Sequence, residues 1–331
     1  MPRLSPADPL ARTLRECVGL AAGLPLSAGE VHVESLPASR QVLRFTFPAE
    51  DYAVVGKFFS GYPPLVSADW SLAREYDHYR QLPALGLANG RRLVPRLLGR
   101  RPERSLGLLL EAVPGPDLDQ LTLQACVHGD PAPLDRGLEK LARLLAFFHS
   151  RPVAVSPVAT GPALAYLDKL MAQLQQAGLL TGEDRQALAR ERAAWEARLR
   201  DFGDRRVLVH GDATPTNFLF PDGRAVALDL ERLRIDDRLW DLSWVAGELK
   251  HAWGWRTGNP GGSEAAIRNF FRAYLAALPP DKALTRRLYG LNPFYMALAE
   301  LRIARNLYLA WDYRRELVAE ARRCLAHGRR L

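Results

Sequence analysis

The sequence predicts an α+β chain in two parts, a small lobe with an antiparallel sheet and a helix, then a larger and mostly helical lobe. Three observations predict it. Short apolar runs with strand-like alternation occupy residues 31–59. A largely apolar run, 106–113, reads as a buried strand and stops at Pro114-Gly115-Pro116. Beyond that stop, apolar residues recur at helical spacing.

The elements follow in order. Residues 8–24 have helical apolar spacing, and Val31-His32-Val33-Glu34 and residues 41–47 read as strands joined by a connector at 36–40. A third strand runs over 53–59 and contains Lys57, although the chain has only five lysines and no other before Lys140. An ammonium inside an apolar strand is costly without a partner. Either Lys57 extends to the surface, with Glu75 in a routine pair with Arg74 or Arg80, or it is paired from the helix expected at 70–79. Glu75 is the preferred partner there, and Asp69 and Asp77 compete with it. The stop at 114–116 sets the expected boundary, with lobes at 1–113 and 114–331 and a hinge at 111–115.

In the second lobe, Leu138, Leu141, Leu144, Leu145 and Phe148 form one stripe of a helix over 134–149. Residues 163–200 read as two helices broken near Thr181-Gly182-Glu183-Asp184, where Thr181 and Asp184 offer capping chemistry. Four of the seven tryptophans fall at Trp240, Trp244, Trp253 and Trp255. Trp240 and Trp244 share a helix face, which suits packing against a core. It also suits an aromatic cage for a quaternary ammonium group, with Glu248 and Asp241 supplying negative charge.

One stretch carries chemistry. His210-Gly211-Asp212 is followed by Asn217, then by Pro221-Asp222-Gly223-Arg224 and by Leu228-Asp229-Leu230-Glu231. Asp-Gly between two apolar runs is a hairpin signal, and with the turn at 222–223 Asn217 faces Leu228, one position from Asp229. Two carboxylates and an amide oxygen then converge, a hard-oxygen set that suits Mg²⁺ rather than zinc. A lone HxD is an ordinary polar turn. The full HxDxxxxN with a strand-terminal Asp is far more specific and points to phosphoryl transfer.

On these residues the chain resembles the aminoglycoside phosphotransferase and choline kinase superfamily, whose catalytic loop is HxDxxxxN where protein kinases have HRDxxxxN. Arg238-Leu239-Trp240-Asp241-Leu242 is similar to the segment that returns a structural Asp beneath that loop. No GxGxxG occurs in 31–47 and no APE follows Asp229, which argues against a protein kinase. The resemblance implies a two-lobed, protein-kinase-like fold and a cleft for ATP or GTP. It implies that Asp212 takes the acceptor proton, that Asn217 and Asp229 hold Mg²⁺, and that Lys57, held by Glu75, neutralises phosphate charge. The Glu111 carbonyl and the Val113 amide would meet the adenine. His210 and Asp241 would support the loop and His149 is read as structural. Glu231, Trp240, Trp244 and Glu248 stand as metal-side or acceptor-side candidates.

Charge bears on the acceptor. Of the net charge of +8, residues 231–331 hold most, with 18 Lys and Arg against 11 Asp and Glu. Forty of the 45 basic residues are Arg, and no zinc finger, RNP motif or aromatic-basic stripe accompanies them, so no nucleic-acid partner is expected. Polycationic acceptors favour carboxylate-rich sites, so this surplus favours a neutral or anionic hydroxyl compound: a sugar, a sugar phosphate or a lipid-linked saccharide. Choline, amino-alcohol or aminoglycoside phosphorylation is the alternative, and Asp236, Asp237 and Asp241 keep it open. A nucleotide-binding scaffold without turnover is the non-enzyme alternative. No apolar run approaches eighteen residues, no signal-peptide pattern opens the chain, and Cys17, Cys126 and Cys324 lack metal spacing. A cytoplasmic protein with free thiols is expected, its oligomeric state open.

Overall fold

A computed structural model describes residues 2–38, 40–59, 70–87, 93–151, 156–221 and 223–330. The chain divides into two units, Met1–Gly115 with Val226–Arg232, and Pro116–Ala225 with Leu233–Leu331.

The first unit is built on a six-stranded antiparallel sheet. Its strands are β1 (Arg3–Leu4), β2 (Val31–Ser35), β3 (Val42–Phe47), β4 (Tyr52–Phe58), β5 (Leu97–Arg101) and β6 (Leu106–Glu111), in the order β1-β2-β3-β4-β6-β5. Alternation decides which side of each strand is buried. On β4, Val54, Gly56 and Phe58 are buried, which leaves Lys57 on the other face, opposite Val42 of β3 and Leu108 of β6. Helix α1 (Pro9–Ala22) starts at Asp8, whose side chain accepts the Leu10 N–H, and its Leu14, Cys17 and Val18 join Phe45, Val54 and Leu109 in one core.

Helix α2 (Trp70–Gln81) buries Leu72, Glu75 and Tyr79, a three-then-four spacing that puts a carboxylate on the core-facing side. It lies close on β6. A Cβ at Gly107 would come within 2.9 Å of Leu72 Cγ and 3.0 Å of Phe59 Cζ, so only glycine allows this approach. The sequence reading assigned all of 114–331 to the second lobe, and here it is corrected. Residues Val226–Arg232, including β9 (Val226–Ala227), belong to the first unit. They are tied there by the Ala227 N–H on the Leu93 carbonyl at 2.9 Å and by His78 Nδ1 on the Leu230 carbonyl at 2.7 Å.

The second unit is mostly helical: α3 (Leu118–Val127), α4 (Ala132–His149), α5 (Gly161–Gln176), α6 (Gly182–Arg200), α7 (Leu239–Thr257), α8 (Glu264–Ala276), α9 (Lys282–Ile303) and α10 (Trp311–Gly328). α9 is buried along most of its length and contacts α7 and α10. The predicted break between the two helices of 163–200 is a capping box, with Thr181 and Asp184 each satisfying the other's backbone N–H at the start of α6. α3 opens on another, Asp117 with Gln120, in a stretch the sequence reading had left without an element. Strand β7 (Val207–Val209) pairs antiparallel with β10 (Arg234–Asp236), Val209 opposite Arg234, and so directs the residues after it. The expected hairpin strands are shorter than the apolar runs: β8 is Phe218–Leu219, and Phe220 gives its N–H to the Pro116 carbonyl. Asp222 of the expected turn lies outside the described residues.

Candidate active site

In the second unit the chain leaves β7 into His210-Gly211-Asp212, and the shape of this loop is set from below by Asp241, in the first turn of α7. Asp241 is fully buried, and its Oδ2 accepts the His210 N–H at 2.8 Å while its Oδ1 accepts the Gly211 N–H at 2.8 Å. Gly211 has φ of 81°, a conformation that would strain any residue with a Cβ. Asp241 Oδ2 also accepts from His149 Nε2 at 3.1 Å. His149 Nδ1 meets the Tyr274 hydroxyl at 2.9 Å, and that oxygen accepts from Arg238 Nη1 at 3.2 Å. One direction of donation satisfies the whole chain: Arg238 to Tyr274, Tyr274 to neutral His149, His149 to Asp241. The charges agree with it. Burial pushes His149 below its ordinary value against the pull of Asp241. Burial opposes ionisation of Asp241, yet the His149 hydrogen bond and the loop N–H groups hold its carboxyl below the usual range.

Above this brace, His210 is buried with its ring tilted on Phe218 at 5.2 Å, and its Nδ1 is 3.3 Å from the Asp212 N–H. The Asp212 carbonyl accepts from Thr214 N–H at 2.8 Å and Asn217 Nδ2 at 2.9 Å. The amide nitrogen of Asn217 is thereby engaged. The Asp212 carboxylate stands partly exposed, 3.7 Å from Arg302 Nη1. Arg302, on α9, also pairs with Glu248 of α7 and places its guanidinium 5.2 Å from the Trp244 ring. Burial pushes the Glu248 carboxyl up, with Arg302 pulling it back. Trp240 and Trp244 are 8% and 5% exposed, and they pack on each other at 5.1 Å and on Tyr166 and Tyr295. The pair packs into the core, and the cation over Trp244 is the chain's own Arg302.

In the first unit, Lys57 Nζ is 2.8 Å from both Glu75 oxygens and 3.1 Å from Asp229 Oδ1. Of the competing partners, Asp77 is exposed and Asp69 lies outside the described residues. Burial works against the Lys57 charge, but Glu75 and Asp229 outweigh it and hold the ammonium above its ordinary value. Burial also dominates at Glu75 and pushes its carboxyl up to about 7 despite Lys57. Asp229 has φ of 52°, a left-handed backbone that Asp adopts more readily than most residues and that turns its carboxylate to Lys57. Glu231, a candidate for the metal or substrate, is committed to Arg40 at 3.0 Å, and Arg40 donates to Ser71 Oγ at 2.9 Å. At the end of β6 the Glu111 N–H is used by the Arg96 carbonyl and the Ala112 N–H by the Ala53 carbonyl. Among the described residues the Val113 N–H has no backbone acceptor.

Arg302, Arg40 and the bracing role of His149 were missed in the sequence. Arg302 is one of forty arginines and lies far along the chain from Asp212. Among the described residues no group of three or more His, Cys, Asp or Glu side chains is arranged to hold a metal. Sparse oxygen donors of this kind fit Mg²⁺, which keeps waters and takes substrate phosphates, better than a metal caged by protein alone.

The sequence model of the phosphotransferase enzyme family matches residues 31–291. Among curated proteins no sequence matches. Solved structures with the same fold include an ethanolamine kinase of Plasmodium vivax, 11% identical, with 98% of this chain and 89% of that one aligned and a TM-score of 0.57. A choline kinase of Streptococcus pneumoniae is 16% identical over 97% and 100% of the two chains, TM-score 0.56. The ternary complex of APH(2'')-IIa with streptomycin and ATP is 16% identical over 95% of each, TM-score 0.52. No described helix is long and apolar enough to cross a membrane.

Proposed function

Because the chain belongs to the phosphotransferase enzyme family, with an alcohol group as acceptor, we propose that it moves the γ-phosphate of ATP or GTP to a hydroxyl of a small molecule through Asp212. The observation that carries this reading is the double backbone bond of Asp241 to His210 and Gly211, which fixes a loop whose only charged member is Asp212. A carboxylate so held can accept the acceptor's proton as the oxygen attacks phosphorus. Lys57, fixed by Glu75, neutralises phosphate charge, and the Glu111 carbonyl and Val113 N–H are assigned to the nucleotide base. Asn217 Oδ1 and the Asp229 carboxylate are assigned to Mg²⁺, which when bound would spread the charge on the β- and γ-phosphates. A phosphate-transfer screen with Mg-ATP and Mg-GTP against sugars, sugar phosphates, nucleosides, amino alcohols and aminoglycosides tests the reading. Absence of transfer to every acceptor class by folded, nucleotide-binding protein would reject it.

For the acceptor, we favour a neutral or anionic hydroxyl compound. The support is Arg302, whose guanidinium stands beside Asp212, pairs with Glu248 and covers Trp244, the carboxylate and ring that an ammonium would otherwise use. Arg302→Ala is expected to raise KM for such an acceptor at least tenfold while changing kcat less. The second reading, an amino alcohol or aminoglycoside, is favoured by what the similar structures act on or hold. It predicts the reverse, an unchanged or lower KM for ammonium acceptors once the guanidinium is removed.

A further inference from the structure

Away from the Asp212 loop, α7, α9, α10 and the turn at Gly258 and Pro260 line a half-open cavity of ≈ 250 Å³. Glu300 of α9 lines it, is 1% exposed, and has no hydrogen-bond partner on either carboxyl oxygen. The cations in the same wall are already engaged. Lys250 is 2.9 Å from Glu320 and 3.4 Å from Glu264, and Arg323 Nε is 2.7 Å from Glu320. Glu316 is exposed and lines the cavity, while Tyr313 and buried Leu317 supply less polar walls. The Glu300 carboxyl is therefore a polar group of this wall that no donor of the wall reaches. A buried polar group without a partner is a standing cost, and in a cavity it is one that a ligand can remove.

We propose that this cavity is a second binding site, which takes a small primary ammonium compound whose N–H groups donate to Glu300 and whose carbon chain lies against Tyr313 and Leu317.

Competing ligands fit less well. An anion would meet Glu300 with Lys250 and Arg323 already paired. A metal ion would need a group of His, Cys, Asp or Glu side chains, and among the described residues none is so arranged. A quaternary ammonium brings no N–H. The volume lies below the range of roughly 300–1,000 Å³ common for drug-sized ligands, which limits the occupant to a few heavy atoms. The site is distinct from the catalytic loop. Glu300 and Arg302 are two positions apart on α9, about 200° around the helix, so Arg302 reaches Asp212 and Glu248 while Glu300 faces the Lys250 side.

Burial, reinforced by Glu320 and Glu248 and opposed by Lys250 and Arg323, pushes the Glu300 carboxyl well above its ordinary range. His251 and Tyr313 complete the titratable wall. Burial and Arg256 push His251 down to about 4, so it stays neutral at pH 7, as does Tyr313, whose hydroxyl burial pushes up. Burial thus favours the protonated form of Glu300 in the empty cavity, and an ammonium donating to it would favour the carboxylate.

The test is calorimetric titration of the full chain at pH 7 with methylammonium and 1,4-diaminobutane, in two buffers of different ionisation enthalpy, with tetramethylammonium and inorganic phosphate for comparison. Saturable binding of an N–H-bearing amine is expected. Affinity should fall at least tenfold in Glu300→Gln and in Ala319→Phe, which fills the cavity from α10, and should persist in Asp212→Asn. No saturable binding by the wild type, undiminished binding in both cavity variants, or preference for tetramethylammonium or phosphate would overturn the proposal. Loss of amine binding in Asp212→Asn would also overturn it, by moving the amine to the acceptor site. None of these readouts depends on phosphate transfer.

Discussion

At Asp241, two carboxylate oxygens accept from three donors, and two of those donors are backbone N–H groups of the loop that carries Asp212. Asparagine has the same shape but one acceptor oxygen fewer, so Asp241→Asn strands a buried N–H. A loss of about 2–4 kcal/mol is expected, together with at least a hundredfold fall in turnover as the loop relaxes. Thermal unfolding and kcat check it, and a variant with wild-type stability would show that the brace is idle. The carboxyl sits below its ordinary value when folded, so its contribution is present above the ordinary carboxylate range and lost as pH falls through it. Lys57 was legible in the sequence because a rare lysine interrupted an apolar strand. Glu75 was legible only as the preferred one of three carboxylates, and its burial beside Leu72 and Tyr79 on one face of α2 separates it from exposed Asp77. Arg302 was illegible because its significance comes from where α9 lies against α7, which no local pattern records. His149 was legible as a helix end and not as a donor, since its partner is 92 residues away.

Among elements, the placement of α2 decides whether Lys57 keeps its carboxylate. Leu72 lies over Gly107 so closely that an alanine there overlaps it, and Glu75 is one turn further along the same helix face. Gly107→Ala should push α2 off β6, cost about 1–3 kcal/mol and raise KM for nucleotide about tenfold or more. Adding Leu72→Ala should restore part of the nucleotide KM by reopening the space. A double variant no better than the single one would contradict this account. Strands β2, β3 and β4 were legible because they alternate, and β6 because it is an apolar run ended by Pro114-Gly115-Pro116. β8 and β9 were read from the Asp222-Gly223 turn between them, whereas β1, β7 and β10 have two or three residues each and no period to read, and β5, Leu97–Arg101, was not read. α3 carried a usable signal in Asp117 and Gln120, a capping box with no strong apolar stripe behind it. The transfer of Val226–Arg232 to the first unit rests on bonds to Leu93, His78 and Lys57, all distant in sequence.

Across the whole molecule, the basic surplus of the last hundred residues is largely structural. Arg287 is 2.6 Å from Asp237, and Arg315 and Arg322 hold Asp184 at 2.6 and 2.7 Å across α10 and α6. A regional charge count thus overstated what the region offers an acceptor, and the local evidence of Arg302 carries more weight. Two histidines of this unit, buried His149 and half-buried His251, are held neutral, His251 with its value pushed down to about 4 chiefly by burial. Below about pH 6.5 the unfolded chain binds protons that the folded chain refuses, so stability falls with pH. For His251 the slope is about 1.4 kcal/mol per pH unit between about 6.5 and 4. Melting curves should show this loss in the wild type and a shallower one in His251→Gln, whereas parallel curves would contradict it. The central claim is that Asp212 takes the acceptor proton during phosphoryl transfer. Single-turnover transfer from Mg-nucleotide to the best acceptor of the screen, measured beside nucleotide affinity in wild type and Asp212→Asn, tests it most directly. A fall in transfer of about 10²–10⁴-fold with nucleotide affinity within threefold is predicted; transfer within threefold of wild type would contradict it.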